Sequence, residues 1–262
     1  MKRLVLTSLL LVSTAASAIV IRHDVPDSAY LVSESTLSAL VDLPHEGHGV
    51  LIAPQWVLTV AHATQWHPVT EVMLGGECLK VEQVFVHPGY RQLPEGLSSR
   101  DPEEAIRFLS GLDDIALIKL AQPVKGIRPI SLYTGHAELG QTVVLFGRGA
   151  TGNGQAGQVS RSNRTQLRRA ENVISSVEER ALVYTFDSGD SARPTEGMLG
   201  NGDSGGPVLI RRNGRWELAG LARGRLSTSL PGYYGQQSHQ VRVSYYLAWI
   251  NKTMRSKRGR KA

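Results

Sequence analysis

The chain has 262 residues, a formal net charge of +6 and one cysteine, Cys78. A single cysteine excludes any intrachain disulfide, so packing alone must hold the fold. No segment interleaves aromatic with basic residues in the manner of a nucleic-acid stacking surface, and the basic surplus is concentrated near the C-terminus, from Arg255 to Lys261.

Lys2 and Arg3 precede an apolar run from Leu4 to Val12, followed by small residues that end Ala16-Ser17-Ala18. That order reads as a secretory signal peptide over residues 1–18, cleaved after Ala18. The run is too short to span a bilayer, and no later stretch is long and apolar enough to do so. The expected product is a secreted chain of residues 19–262, extracellular or periplasmic, without membrane insertion. Loss of Lys2 and Arg3 takes its net charge from +6 to +4. The absence of disulfides from an exported protein fits a bacterial-type secreted protein.

Short apolar segments between turn signals then recur along the chain, as in a β-sandwich or barrel. Val50 to Ile52 leads through Pro54 into Trp56 to Val60, and the run stops at Ala61-His62. Val81 to Val86 ends at His87-Pro88-Gly89. Residues 91–113 carry mixed charge with scattered Gly and Pro and read as a loop, closed by Asp113-Asp114 before the strand Ile115 to Leu120. Further strands are expected over Thr142 to Phe146, Ala181 to Phe186, Pro207 to Ile210 and Trp216 to Ala222. Residues 147–170 begin Gly-Arg-Gly-Ala-Thr-Gly-Asn-Gly and read as a loop; no phosphate-binding spacing follows them. Tyr246, Trp249, Ile250 and Met254 mark one face of a C-terminal helix. The basic tail, taken as residues 251–262, reads as a solvated terminus able to touch anionic surfaces weakly.

The chemistry concentrates in three places. Gly202-Asp203-Ser204-Gly205-Gly206-Pro207 surrounds a serine with glycines, so the backbone can bend, present the hydroxyl and converge N–H groups on one point. Leu58-Thr59-Val60-Ala61-His62 ends a strand on a histidine, a candidate base. Asp113-Asp114 precedes a strand, where either carboxylate could orient that histidine. His45 and His48 flank Glu46-Gly47 without metal-protease spacing, and no metal or cofactor is expected.

The serine string resembles the nucleophile motif of the chymotrypsin-like serine peptidases position for position, and the histidine and aspartate blocks resemble that family's other two motifs in the same order. The resemblance implies an all-β fold of two six-stranded antiparallel β-barrels with a C-terminal helix, divided near residues 19–130 and 131–250. It implies a secreted endopeptidase acting on protein or peptide substrates, with Ser204 as nucleophile, His62 as base and Asp114 as the orienting acid. Gly202 and Ser204 N–H groups would form the oxyanion hole. A new N-terminus at Ile19 would pair with Asp203.

Several positions depart from that pattern. The family's cysteines are missing at Ala63 and Gly200. His48 stands where the family usually has a small residue. Met198 replaces the aspartate of trypsin-like members at the floor of the specificity pocket, with Glu196 read as an exposed loop carboxylate nearby. Arg223-Gly224-Arg225 stands where the family prefers Ser-Trp-Gly, so Met198, Arg223 and Arg225 are assigned together to the specificity pocket. Either arginine could narrow that pocket or attract an acidic group. The rival readings are a catalytically silent binding protein on the same scaffold and an esterase, though Gly202 to Gly206 does not match the α/β-hydrolase elbow.

Overall fold

The computed structural model describes residues 19–65, 67–159, 164–224 and 231–256. The expected signal peptide and the last six residues of the tail lie outside the described residues, as does Arg225. Strand β1 (Ile19–Ile21) is followed by β2 (Leu40–Asp42), β3 (His48–Ala53), β4 (Trp56–Thr59), β5 (Glu71–Leu74) and β6 (Glu77–Val86). Helices α1 (Leu97–Arg100) and α2 (Pro102–Ser110) lead into β7 (Ala116–Leu120). Strands β2 to β7 close a barrel in the order β2-β3-β4-β7-β6-β5.

The second half begins with the short β8 (Ser131–Leu132), then β9 (Thr142–Gly147), β10 (Thr151–Asn153), β11 (Gly157–Gln158), β12 (Arg168–Val177) and β13 (Ala181–Thr185). It continues through β14 (Gly197–Met198), β15 (Pro207–Arg212), β16 (Arg215–Gly224) and β17 (Gln237–Arg242) to helix α3 (Val243–Ser256). Pairing runs β15-β9-β12-β13-β17-β16 and returns from β16 to β15, which closes a second six-stranded barrel with β8 appended to β16. The expected architecture of two antiparallel six-stranded barrels and a C-terminal helix is therefore the observed one.

The expected strands reflect apolar content that the barrels bury. Val50, Leu51, Val57, Leu58, Leu117 and Ile118 are fully buried in the first core. Val143, Leu145, Leu182 and Val208 are fully buried in the second. Tyr246 and Ile250 of α3 are buried against the first of these clusters, so the helix face behaves as its spacing demands. The helix runs on to Ser256, so residues 251–256 of the segment read as tail are helical.

Two expectations require correction. Residues 91–113 are not all loop: Asp101 caps α2 by accepting from the Glu104 N–H at 2.8 Å, and Pro102 occupies the first helical turn. Residues 147–170 contain β10, β11 and the start of β12, of which β10 pairs with β1 in parallel. Strand β12 was hidden because its inward positions include Arg168 and Asn172 as well as Ala170 and Ile174. Arg168 is fully buried and its guanidinium makes a two-pronged pair with Asp27 at 2.7 and 2.8 Å. A buried arginine with such a partner is tolerated, but its residue type conceals the strand.

Candidate active site

Three chain segments from different parts of the fold meet between the barrels. His62 follows the end of β4 by three residues and opens a short 3-10 turn. Asp114 lies just before β7, the strand that pairs with β4 through Thr59 and Ala116. Ser204 lies in the turn ahead of β15. The β4–β7 register thus brings His62 and Asp114 together inside one barrel, and the second barrel delivers the serine.

Asp114 Oδ2 lies 2.7 Å from His62 Nδ1, and its Oδ1 accepts the His62 backbone N–H at 2.9 Å. An ionised carboxylate can only accept, so Nδ1 carries the proton and Nε2 presents a lone pair. Ser204 Oγ lies 2.8 Å from that Nε2. Asp114 is buried, which by itself opposes ionisation. The field of the His62 ring, its two hydrogen bonds and the nearby Arg223 outweigh burial and hold the carboxyl below its usual range. Asp113, the other candidate, faces elsewhere: it accepts from the Tyr246 hydroxyl at 2.9 Å and pairs with Arg180 at 3.0 Å.

The turn that holds Ser204 is fixed by its neighbours. Gly205 N–H donates to Ala222 O at 2.7 Å, Gly206 N–H to Asp203 O at 2.8 Å, and His48 N–H to Ser204 O at 2.6 Å. Gly205 sits at φ +77°, and a Cβ there would lie 2.1 Å from His48 O, so no other residue fits. Among the described residues neither the Gly202 nor the Ser204 N–H has a hydrogen-bond acceptor. Asp203 is fully buried and accepts from the Gly149 N–H at 2.7 Å and the Gly200 N–H at 2.9 Å. Ile19 is fully buried and pairs with Thr151, two residues beyond Gly149.

Sequence reasoning gave His48 no role. The structure seals it completely from solvent, with Nδ1 at 2.8 Å from Asp42 and Nε2 at 3.8 Å from Asp203. A histidine two residues ahead of the apolar run Val50 to Ile52, at the start of the same strand, was the available signal, since a buried side chain of that kind requires a partner.

Of the three residues assigned to the specificity pocket, Met198 and Arg223 line different cavities, and Arg225 lies outside the described residues. Met198 is buried and lines a small cavity of about 100 Å³ with Val20, Leu199, Gly200, Gly224 and Gly232. Arg223 instead lines a separate cavity of about 510 Å³ beside His62 and Asp114. Gly224 borders both. Glu196 is not an exposed loop group: it is buried, and its carboxylate accepts the backbone N–H groups of Asp187 and Arg193 at 2.6 and 2.5 Å. Burial pushes its pKa up, and these bonds tie it to its own loop. Among the described residues no group of three or more His, Cys, Asp or Glu side chains could hold a metal ion.

A family model described as Trypsin matches residues 32–250. The chain is 29% identical over 237 residues to human kallikrein-4, covering 89% of this chain and 84% of that one. It is 28% identical over 250 residues to the complement C1s subcomponent of Rattus norvegicus, covering 82% of this chain and 33% of that protein. Over 234 residues it is 28% identical to mouse vitamin K-dependent protein C, covering 78% of this chain and 45% of that protein. The chain therefore spans less than half the length of C1s and protein C. Among solved structures, neuropsin, a serine protease expressed in the limbic system of mouse brain, superposes with a TM-score of 0.64 at 21% identity. That match covers 86% of this chain and 98% of the neuropsin chain and bears on the fold alone.

Proposed function

Since this chain belongs to the trypsin family, we propose that it is a secreted serine endopeptidase that hydrolyses peptide bonds through Ser204, His62 and Asp114. The observation that carries the reading is the unbroken chain of contacts from Asp114 through His62 to Ser204 Oγ, at 2.7 and 2.8 Å.

In the proposed reaction Ser204 Oγ attacks the substrate carbonyl carbon while its proton passes to His62 Nε2. The carbonyl oxygen takes the electron pair, and the Gly202 and Ser204 N–H groups donate to it, each worth roughly 3–4 kcal/mol in such sites. Asp114 holds the imidazole in the required tautomer and balances its positive charge. The tetrahedral carbon collapses, the C–N bond breaks, and the leaving nitrogen takes the proton from His62. Water then attacks the acyl-enzyme by the same route in reverse, which releases the acid and restores Ser204.

Activation follows from the start of the exported chain. We propose that cleavage after Ala18 frees the Ile19 ammonium and that it pairs with Asp203, so that no separate precursor-processing step is needed. Burial of Ile19 beside the strand that follows Gly149 supports this, because a buried ammonium requires a counter-charge. N-terminal sequencing that finds another start, or full activity with one residue added before Ile19, would sink it.

The reading as a whole is tested with mature protein and a Ser204→Ala control, incubated with a diverse peptide library and read by mass spectrometry. Cleavage by the parent alone is the expected result. Equal cleavage by both, or none by a folded parent with an Ile19 terminus, overturns the proposal.

A further inference from the structure

The cavity beside His62 extends past Tyr90, Leu93, Leu109 and Leu112, so helix α2 and the segment ahead of it supply much of its wall. Arg223 lies at the triad end of that wall with its side chain only 7% exposed. Its Nη2 is buried and has no hydrogen-bond partner among the described residues. The nearest carboxylate oxygen, Asp114 Oδ2, is 3.9 Å from Arg223 Nε, beyond hydrogen-bond reach, and already faces the His62 ring. Asp113 is occupied by Tyr246 and Arg180. Among the described residues that Nη2 is thus held out of water without an acceptor, a costly arrangement. Its pKa is lowered, chiefly by burial. Arg91 adds a second cation to the lining, and among the described residues Asp114 is the one carboxylate there.

We propose that this cavity is a subsite for an acidic side chain of the substrate, and that Arg223 is the residue that selects it. The inference rests on the peptidase reading, because it is a peptide held across Ser204 that brings a flanking side chain here. Gly224 borders both this cavity and the one floored by Met198. One extended peptide passing Gly224 can therefore place an apolar side chain against Met198 and an acidic one toward Arg223. A carboxylate gains a charge-assisted pair with a guanidinium nitrogen that lacks an acceptor among the described residues. An amide of the same shape gains an ordinary hydrogen bond, and an ammonium meets two like charges.

The test measures binding without turnover. In a Ser204→Ala background, fluorescence polarisation compares labelled peptides identical except for Glu, Gln or Lys at each position flanking the scissile bond. At one position Glu should bind about tenfold or more tighter than Gln, with Lys weakest. Arg223→Leu should bring Glu and Gln to within about twofold, and Arg223→Lys should keep part of the gap. Raising salt from about 0.1 M to about 1 M should weaken the Glu peptide and spare the Gln peptide, a readout that stands even if Arg223→Leu fails to fold. Equal binding of Glu and Gln by the parent, a gap that survives in a folded Arg223→Leu protein, or no binding of any Glu peptide overturns the inference. Labelling of Ser204 in the parent by a fluorophosphonate tests the underlying reading separately. A labelled protein without a Glu preference sinks the subsite alone, and an unlabelled one sinks the peptidase.

Discussion

His48 opens strand β3 and His62 follows the adjacent β4 in one barrel, and each meets an aspartate at hydrogen-bond distance, Asp42 at 2.8 Å and Asp114 at 2.7 Å. Each also touches the loop of residues 203–205 from the other barrel. There the likeness stops. His62 keeps 19% of its side chain exposed and turns Nε2 to the Ser204 hydroxyl, whereas His48 is sealed and its Nε2 accepts the Arg148 backbone N–H at 3.3 Å, with the Asp203 carboxylate 3.8 Å away. A base needs a neutral lone pair facing a proton and a path for substrate. A fully enclosed imidazole that bonds Asp42 of its own barrel and faces Arg148 and Asp203 of the other serves instead to hold the barrels together. The same residue type is placed for the proposed chemistry in one setting and for cohesion in the other, and exposure together with the second partner makes the difference.

The contrast can be broken most severely at the open site. Replacing Ser204 or His62 with Ala should lower kcat by on the order of 10⁶, measured by single-turnover cleavage of a peptide substrate. Asp114→Asn should cost about 10⁴ in kcat, because the amide can donate to Nδ1 and reverse the tautomer. A variant retaining more than about a tenth of parent kcat would remove Asp114 from the proposed mechanism.

The sealed site should respond in stability. His48→Ala leaves Asp203 and Asp42 without their shared partner and should destabilise the fold by about 3 kcal/mol or more, read by urea denaturation. A change below about 1 kcal/mol would mean that the His48 contacts carry no more weight than surface pairs. The most gradual effect is one of pH. Burial opposes the His48 charge, but Asp203 and Asp42 outweigh it and raise the pKa above the usual histidine value. Its contribution is therefore fully present below about pH 6.5 and fades as pH rises through the higher folded-state value. Parent stability should fall over that window, and the His48→Ala protein should show a flatter profile. Parallel profiles would refute the charged pairing.

The legible parts of the sequence were those where residue type and burial agree. The apolar strands Val57 to Leu58, Ile118 and Val143 to Phe146 announce themselves because an antiparallel barrel wall needs them. Glycines around Ser204 are equally explicit, since the approach of His48 O to Gly205 excludes a side chain. Strand β12 stayed hidden because its inward face includes Arg168 and Asn172, whose partners Asp27 and Gly197 O are far away in the chain. Helix α2 was obscured by a polar, short sequence whose start depends on one cap. Glu196 reads as a surface residue until the loop that encloses it is in place.

The sequence by itself determined an all-β chain, the C-terminal helix and three blocks of candidate chemistry, because local backbone demands and alternating burial are written in consecutive residues; the two-barrel arrangement followed only from the resemblance that those blocks carry. Tertiary structure decided which of Asp113 and Asp114 faces His62, since only the β4–β7 register and the competing Tyr246 and Arg180 contacts separate two adjacent carboxylates. It also moved Arg223 away from the Met198 cavity and enclosed His48 between Asp42 and Asp203. Direction and enclosure arise from contacts between residues distant in the chain, and residue type and spacing carry no record of them.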